Sequence, residues 1–153
     1  MFTQEPVINV GITCYNPDFV DPTTIHRTGN TTSGTTATTE DYAGTVETGV
    51  VFTLNVNRTL AAFTIFNTPP GDLPQQLDFE AALVSGDVVK ISTVPGDKYA
   101  TLTRAGVTTD ILYAISPQSS WIELKKGANA FRVYASGAAI PWTLDFTTKY
   151  GGL

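Results

Sequence analysis

The chain has 153 residues, 42% of them hydrophobic and 15% charged, with a formal net charge of −5 at pH 7. That length suits one domain with a real core, and that hydrophobic share excludes a disordered chain. The densest basic pair is Lys125-Lys126, so the chain lacks the concentrated positive field that nucleic acid or an anionic membrane demands.

Residues 7–15, VINVGITCY, alternate well enough for a first strand. The leading MFTQEPVINV has no basic region followed by an apolar block, so no secretory signal is expected. The Asn-x-Thr matches at Asn30 and Asn57 are then chance in a Thr-rich chain. Cys14 is the single cysteine, which excludes an internal disulfide and leaves a zinc site without companions. NPDFVDPTT follows, with Pro17 and Pro22 as breakers, so residues 1–22 read as a lead-in strand and turn. Residues 28–45 form a long Thr-rich stretch with little apolar content. It reads as a loop, or as an extended, weakly packed strand where the chain crosses between sheets. Its first part, residues 28–39, is expected to order only when bound.

From residue 50 the pattern is regular. VVFTLNV and LAAFTIF are short apolar runs separated by NRT and read as a hairpin. NTPPGDLPQ interrupts. LDFEAALV then places Leu77, Phe79, Ala81 and Leu83 on one face and Asp78 and Glu80 on the other, a half-buried strand. DVVKIS, KYATLTR, SWIEL, NAFRVYA and AIPWTLDF continue the series, with VPGD, RAGVTTD, KKGA and ASGA as turns. DILYAISP reads as either a short strand or a helical turn. LKKGANAFRVYASG reads as a hairpin in which Gly127 makes the turn and Phe131 and Val133 return to the core. In the last strand Ile140, Trp142, Leu144 and Phe146 share an apolar face. Strands at this spacing with Gly-containing turns predict an all-β antiparallel sandwich of about nine to ten strands, occupying 1–153 as a single domain with little helix. No apolar run approaches the roughly 18 to 20 residues of a membrane span.

Candidate chemistry is sparse. His26 is the only histidine, no nucleophile motif accompanies it, and it reads as a solvated loop residue. Asp72, Asp87 and Asp97 each follow a glycine, as turn aspartates do, and nothing in their spacing selects a catalytic pair or a calcium loop. Trp142 belongs to the core. Trp121 lies on a more polar face and is open to three readings: core, inter-subunit contact or ligand platform. Trp121, Lys125 and Lys126 are therefore the candidate contact residues. No catalytic residue, metal or cofactor is expected, and the pattern favours binding or assembly over chemistry.

Three stretches in order resemble the C-terminal half of distal tail proteins of long-tailed bacteriophages, the siphophage tail-component family. They are VGITCYNPDFVDP (10–22), LVSGDVVKISTVPGDKYATL (83–102) and WIELKKGANAFRVYASGAAIPWTLDFTTKYGGL (121–153). Two departures stand out: Lys126 replaces the usual turn proline, and Ala128 separates Gly127 from Asn129. Met1 stands close to where the C-terminal domain would begin, so the family's N-terminal ring-forming domain is expected to lack a counterpart. The resemblance implies a galectin-like, jelly-roll-like sandwich and a structural, non-enzymatic role at a tail tip or baseplate. It also implies a place in the virion after assembly in the host bacterial cytoplasm, with tail tube, hub and receptor-binding proteins as partners and a homo-oligomeric ring in the intact assembly. The alternative from the residues alone is a carbohydrate-binding module for bacterial surface glycans, centred on Trp121.

Overall fold

A computed structural model describes residues 18–152. The strand expected at 7–15 and Cys14 lie outside the described residues. The strands are β1 (Asp18–Asn30), β2 (Thr38–Tyr42), β3 (Thr48–Gly49), β4 (Val51–Asn55), β5 (Phe63–Thr68) and β6 (Gln75–Phe79). They continue as β7 (Val88–Ser92), β8 (Tyr99–Arg104), β9 (Val107–Asp110), β10 (Glu123–Leu124), β11 (Gly127–Tyr134) and β12 (Pro141–Gly151). Every strand pairing is antiparallel. A six-stranded sheet in the order β1-β12-β4-β7-β8-β9 packs on a four-stranded sheet, β2-β11-β5-β6, with β10 and β3 forming a small third sheet.

The fold is the expected all-β antiparallel sandwich, but it has twelve strands among the described residues rather than nine to ten. The strands beyond the expected series are β1, β2, β3 and β9. β3 has two residues, too few to show a period, and β9 is hidden in RAGVTTD, whose first residues make a tight turn at Ala105-Gly106 with positive φ at both positions (50° and 79°). DILYAISP resolves as a 3₁₀ turn at Leu112–Ala114.

Alternation fills the core. Phe52 and Leu54 on β4, Val89 and Ile91 on β7, and Trp142, Leu144 and Phe146 on β12 face Phe63, Ile65, Leu77, Phe79, Phe131 and Val133 from the other sheet, all buried. Each such side chain contributes roughly 1.5–3 kcal/mol by leaving water. Aromatic rings lock the two layers together. Phe131 meets Trp142 edge-on at 5.4 Å, and Phe52 lies 6.0 Å from Phe63, which stacks on Phe79 at 4.7 Å.

Two expected hairpins are not hairpins. β4 and β5 follow one another in sequence but lie in different sheets, β4 between β12 and β7, β5 between β11 and β6. β10 pairs with β3, not with β11, so LKKGANAFRVYASG is a corner between sheets. Asn129, fully buried, makes that corner: its Oδ1 accepts from Lys125 N (3.0 Å), and its Nδ2 donates to the carbonyls of Lys125 (2.8 Å) and Gly127 (2.9 Å). Gly127 carries the φ of 103° that the corner needs.

The lead-in is also corrected. Residues 18–22 are strand, not turn, and the breakers at Asp21-Pro22 produce a register shift between Val20 and Thr24 inside β1, where Asp21 Oδ1 accepts from Thr23 N. Residues 28–45 are not one loop. Thr28–Asn30 end β1 and Thr38–Tyr42 are β2, so the chain crosses between sheets over 31–37. That crossing is tied down by Thr31 N to Ile140 O and Thr32 N to Val133 O, both 2.9 Å.

Candidate functional site

The sandwich treats its edges differently. The outer edge of β6 is sheathed by residues 114–120, through Glu80 N to Ala114 O (2.7 Å), Ser116 N to Asp78 O (3.0 Å) and Ser120 N to Gln76 O (2.7 Å). β1 and β2 are terminal strands with no further strand beyond them among the described residues. They flank a slot of about 270 Å³ to which the 31–37 crossing contributes Thr32 and Thr36. Beneath it lie Trp142, Phe131 and Val133; around it stand Thr28, Asn30, Thr36 and Glu40.

Three local features shape this slot. Gly29 is directly opposite Trp142 in the β1–β12 register, and a Cβ there would stand 2.2 Å from Trp142 Cζ2, so only glycine lets the indole fold against the β1 backbone. Arg132 lies over the Phe66 ring at 4.1 Å and donates from Nη1 to Gly34 O at 2.8 Å, which pins the crossing loop. On β2, alternation turns Glu40 and Tyr42 inward while Thr39 and Asp41 face water. Tyr42 fills core and donates to Val46 O. Glu40 is left with its side chain 10% exposed and one ionic partner, Arg27 Nε at 3.2 Å. Burial, outweighing Arg27, raises its pKa above the ordinary carboxylate value. Nothing in a run of threonines marked Glu40 in advance. The available signal was the inward spacing of Glu40 and Tyr42.

The expected site residues are scattered. Trp121 is half-buried against the core, and Lys98 Nζ lies 5.0 Å from its ring centre, which takes up a face that a flat ligand would need. Lys125 is held by Asp72 at 2.6 Å, an ion pair that lowers the Asp72 pKa and raises that of Lys125. Lys126 projects into solvent. These three do not converge with the slot.

His26 is on β1, not in a loop. It faces Asp145 across the β1–β12 ladder and its Nδ1 hydrogen-bonds that carboxylate. Asp87 forms the expected turn, accepting Val84 N at 2.8 Å, and also takes a bidentate pair from Arg104 at 2.8 and 2.6 Å. Among the described residues no cluster of three His, Cys, Asp or Glu side chains is placed to hold a metal. Exposed aromatics lie elsewhere: Phe19 (71% exposed) is paired with Tyr150 at one end of the β1–β12 ribbon, and Tyr113 (84%) is the middle residue of the 3₁₀ turn.

Comparison with known proteins adds a family. The model of the siphovirus-type tail component, C-terminal domain, matches residues 43–150. Among solved structures the sandwich is similar to the crystal structure of Dit from phage SPP1, described as a paradigm of the hub adsorption apparatus in phages infecting Gram-positive bacteria, with a TM-score of 0.65. The likeness covers 89% of this chain at 19% identity, which is a likeness of fold, and 50% of the SPP1 protein, so this chain spans about half of that protein's length. No curated protein matches the sequence.

Proposed function

The chain belongs to the siphovirus-type tail component family, matched over its C-terminal domain, and from that premise we propose that it is a structural, non-enzymatic part of a phage tail tip or baseplate. In this reading it joins tail tube, hub and receptor-binding proteins, stands in a homo-oligomeric ring in the complete assembly, and reaches the virion after assembly in the host cytoplasm. Residues 1–153 serve as one domain of that apparatus.

The observation that carries the reading is the family match over 43–150. The surface supports it. A sandwich that sheathes one edge, leaves β1, β2 and β9 terminal, and exposes Phe19, Tyr113 and Tyr150 offers strand edges and aromatic anchors to neighbours. Lys126, and Trp121 with its Lys98 neighbour, are proposed as lesser polar contacts. Trp121 as a glycan platform is not favoured, because Lys98 lies over its ring.

The test is genetic and biochemical. Tagged protein should sediment with tails from infected cells, and particles made without it should lack a functional tail tip. If the tagged chain never associates with tails, and particles lacking it assemble and adsorb normally, the proposal fails.

A further inference from the structure

The slot between β1 and β2 has a composition that its position in a structural sandwich does not require. Glu40 is a carboxylate whose side chain is nine-tenths buried at the slot wall, with a single ionic contact from Arg27. A buried carboxylate with so few donors is costly unless something else supplies them. Thr28, Asn30 and Thr36 also line the slot, exposed to solvent, so their polar side chains are open to a ligand there. The base is Trp142, Phe131 and Val133. The rim, residues 28–40, lies before the matched segment 43–150, while Phe131, Arg132, Val133 and Trp142 lie within it.

This lining selects among ligand classes. An anion such as phosphate would meet the Glu40 carboxylate. A cation is anticipated by Arg27 at 3.2 Å, with Arg132 in the slot wall. At about 270 Å³ the slot is smaller than the roughly 300–1,000 Å³ of pockets for drug-sized ligands, which favours a small ligand over an acyl chain or a large cofactor. The remaining class is small and uncharged, with hydroxyl donors for Glu40, acceptors for the threonines and a C–H face for the aromatic base. We propose that the slot between β1 and β2 binds a single neutral sugar ring, with Glu40 accepting two of its hydroxyls and Thr28, Asn30 and Thr36 completing the contacts.

The proposal stands apart from the tail assignment and from the Trp121 platform, and the test separates them. The full chain is titrated by NMR with methyl α-glucoside, methyl β-galactoside, N-acetylglucosamine and rhamnose, following the indole N–H signals of Trp142 and Trp121. At least one sugar should shift Trp142 and the amides of Thr36 and Glu40 saturably in the millimolar range, leaving Trp121 unmoved. Glu40→Gln should weaken that sugar at least about tenfold by removing charge-assisted acceptors. Thr36→Val, on the exposed crossing loop, should weaken it several-fold with an unchanged melting temperature, which guards against loss of fold as the explanation. Absence of a saturable shift at the slot with all four sugars overturns the proposal. So does a response confined to Trp121, or undiminished affinity in Glu40→Gln. Slot shifts produced only by an extended peptide would instead assign it to strand addition and overturn the sugar.

Discussion

Asp87 and Glu40 are both buried carboxylates, 2% and 8% exposed, each facing an arginine, yet they occupy opposite energetic situations. Asp87 accepts three N–H groups, one from the backbone and two from Arg104 in fork geometry. Its pKa falls, with the Arg104 hydrogen bonds as the first cause. Glu40 has one ionic contact, and its pKa rises, with burial as the first cause. Burial alone therefore does not decide what an acidic group does in this fold; the number of donors aimed at it does. One carboxylate fastens a turn, and the other is held ready for a donor that the protein does not itself provide.

The largest expected effect breaks the Asp87 side. Asp87→Ala removes the acceptor from Val84 N and strands a guanidinium. A sealed pair would cost about 3–5 kcal/mol, but Arg104 is half-exposed and can rehydrate, so about 3 kcal/mol is expected from denaturant unfolding. The wild-type pair has a pH signature. Because the folded pKa of Asp87 lies below its ordinary value of 3.8, its contribution is complete above that value and lost as pH falls through the folded pKa. Asp87→Asn should be destabilised at neutral pH and should converge on wild type in acid.

A somewhat smaller effect is expected on the slot side. Gly29→Ala places a Cβ 2.2 Å from Trp142 Cζ2, and the buried indole must shift to admit it. Overpacking of this kind costs about 1–3 kcal/mol. Urea unfolding measures the loss, and displacement of the Trp142 indole N–H signal localises it. An unshifted Trp142 would show that the β1 backbone gives way instead, and would weaken the slot's claim to be preformed.

The contrast between these two carboxylates explains what the sequence could disclose. Period-two alternation is local, so the core faces of β4, β6 and β12 were legible from Phe52, Leu77 and Trp142 onward. Strand partnership is not local. NRT between β4 and β5 looks like a hairpin turn, but β12 and β11, far later in the chain, claim those strands for different sheets. Asp87 was half legible: Gly86-Asp87 announces a turn, while Arg104 lies 17 residues away with nothing in the spacing to connect them. Glu40 was invisible, because a charged residue in TTATTEDY reads as solvated until β2 is seen to turn it inward. Trp121 and Lys125 were singled out for their chemical type, and tertiary contacts with Lys98 and Asp72 had already engaged both.

The smallest effect sharpens the comparison most. The Glu40 pKa in the folded state is raised above its ordinary value of 4.5, so the unfolded chain releases that proton first. Above the folded pKa the charged carboxylate is a standing penalty. As pH falls from there toward 4.5 the penalty disappears, because folded and unfolded chains both carry the proton. Glu40→Gln removes the charge while keeping the shape, at the loss of one exposed arginine contact. It should therefore raise the melting temperature slightly at pH 7, by less than Gly29→Ala lowers it, and the gain should vanish below pH 4.5. Asp87→Asn should do the reverse, losing stability at pH 7. A side chain whose replacement stabilises the fold while weakening ligand binding is retained for the ligand, not for the fold. If Glu40→Gln instead destabilises the protein at pH 7 as Asp87→Asn does, then Arg27 satisfies Glu40 as fully as Arg104 satisfies Asp87, and the distinction between the two carboxylates collapses.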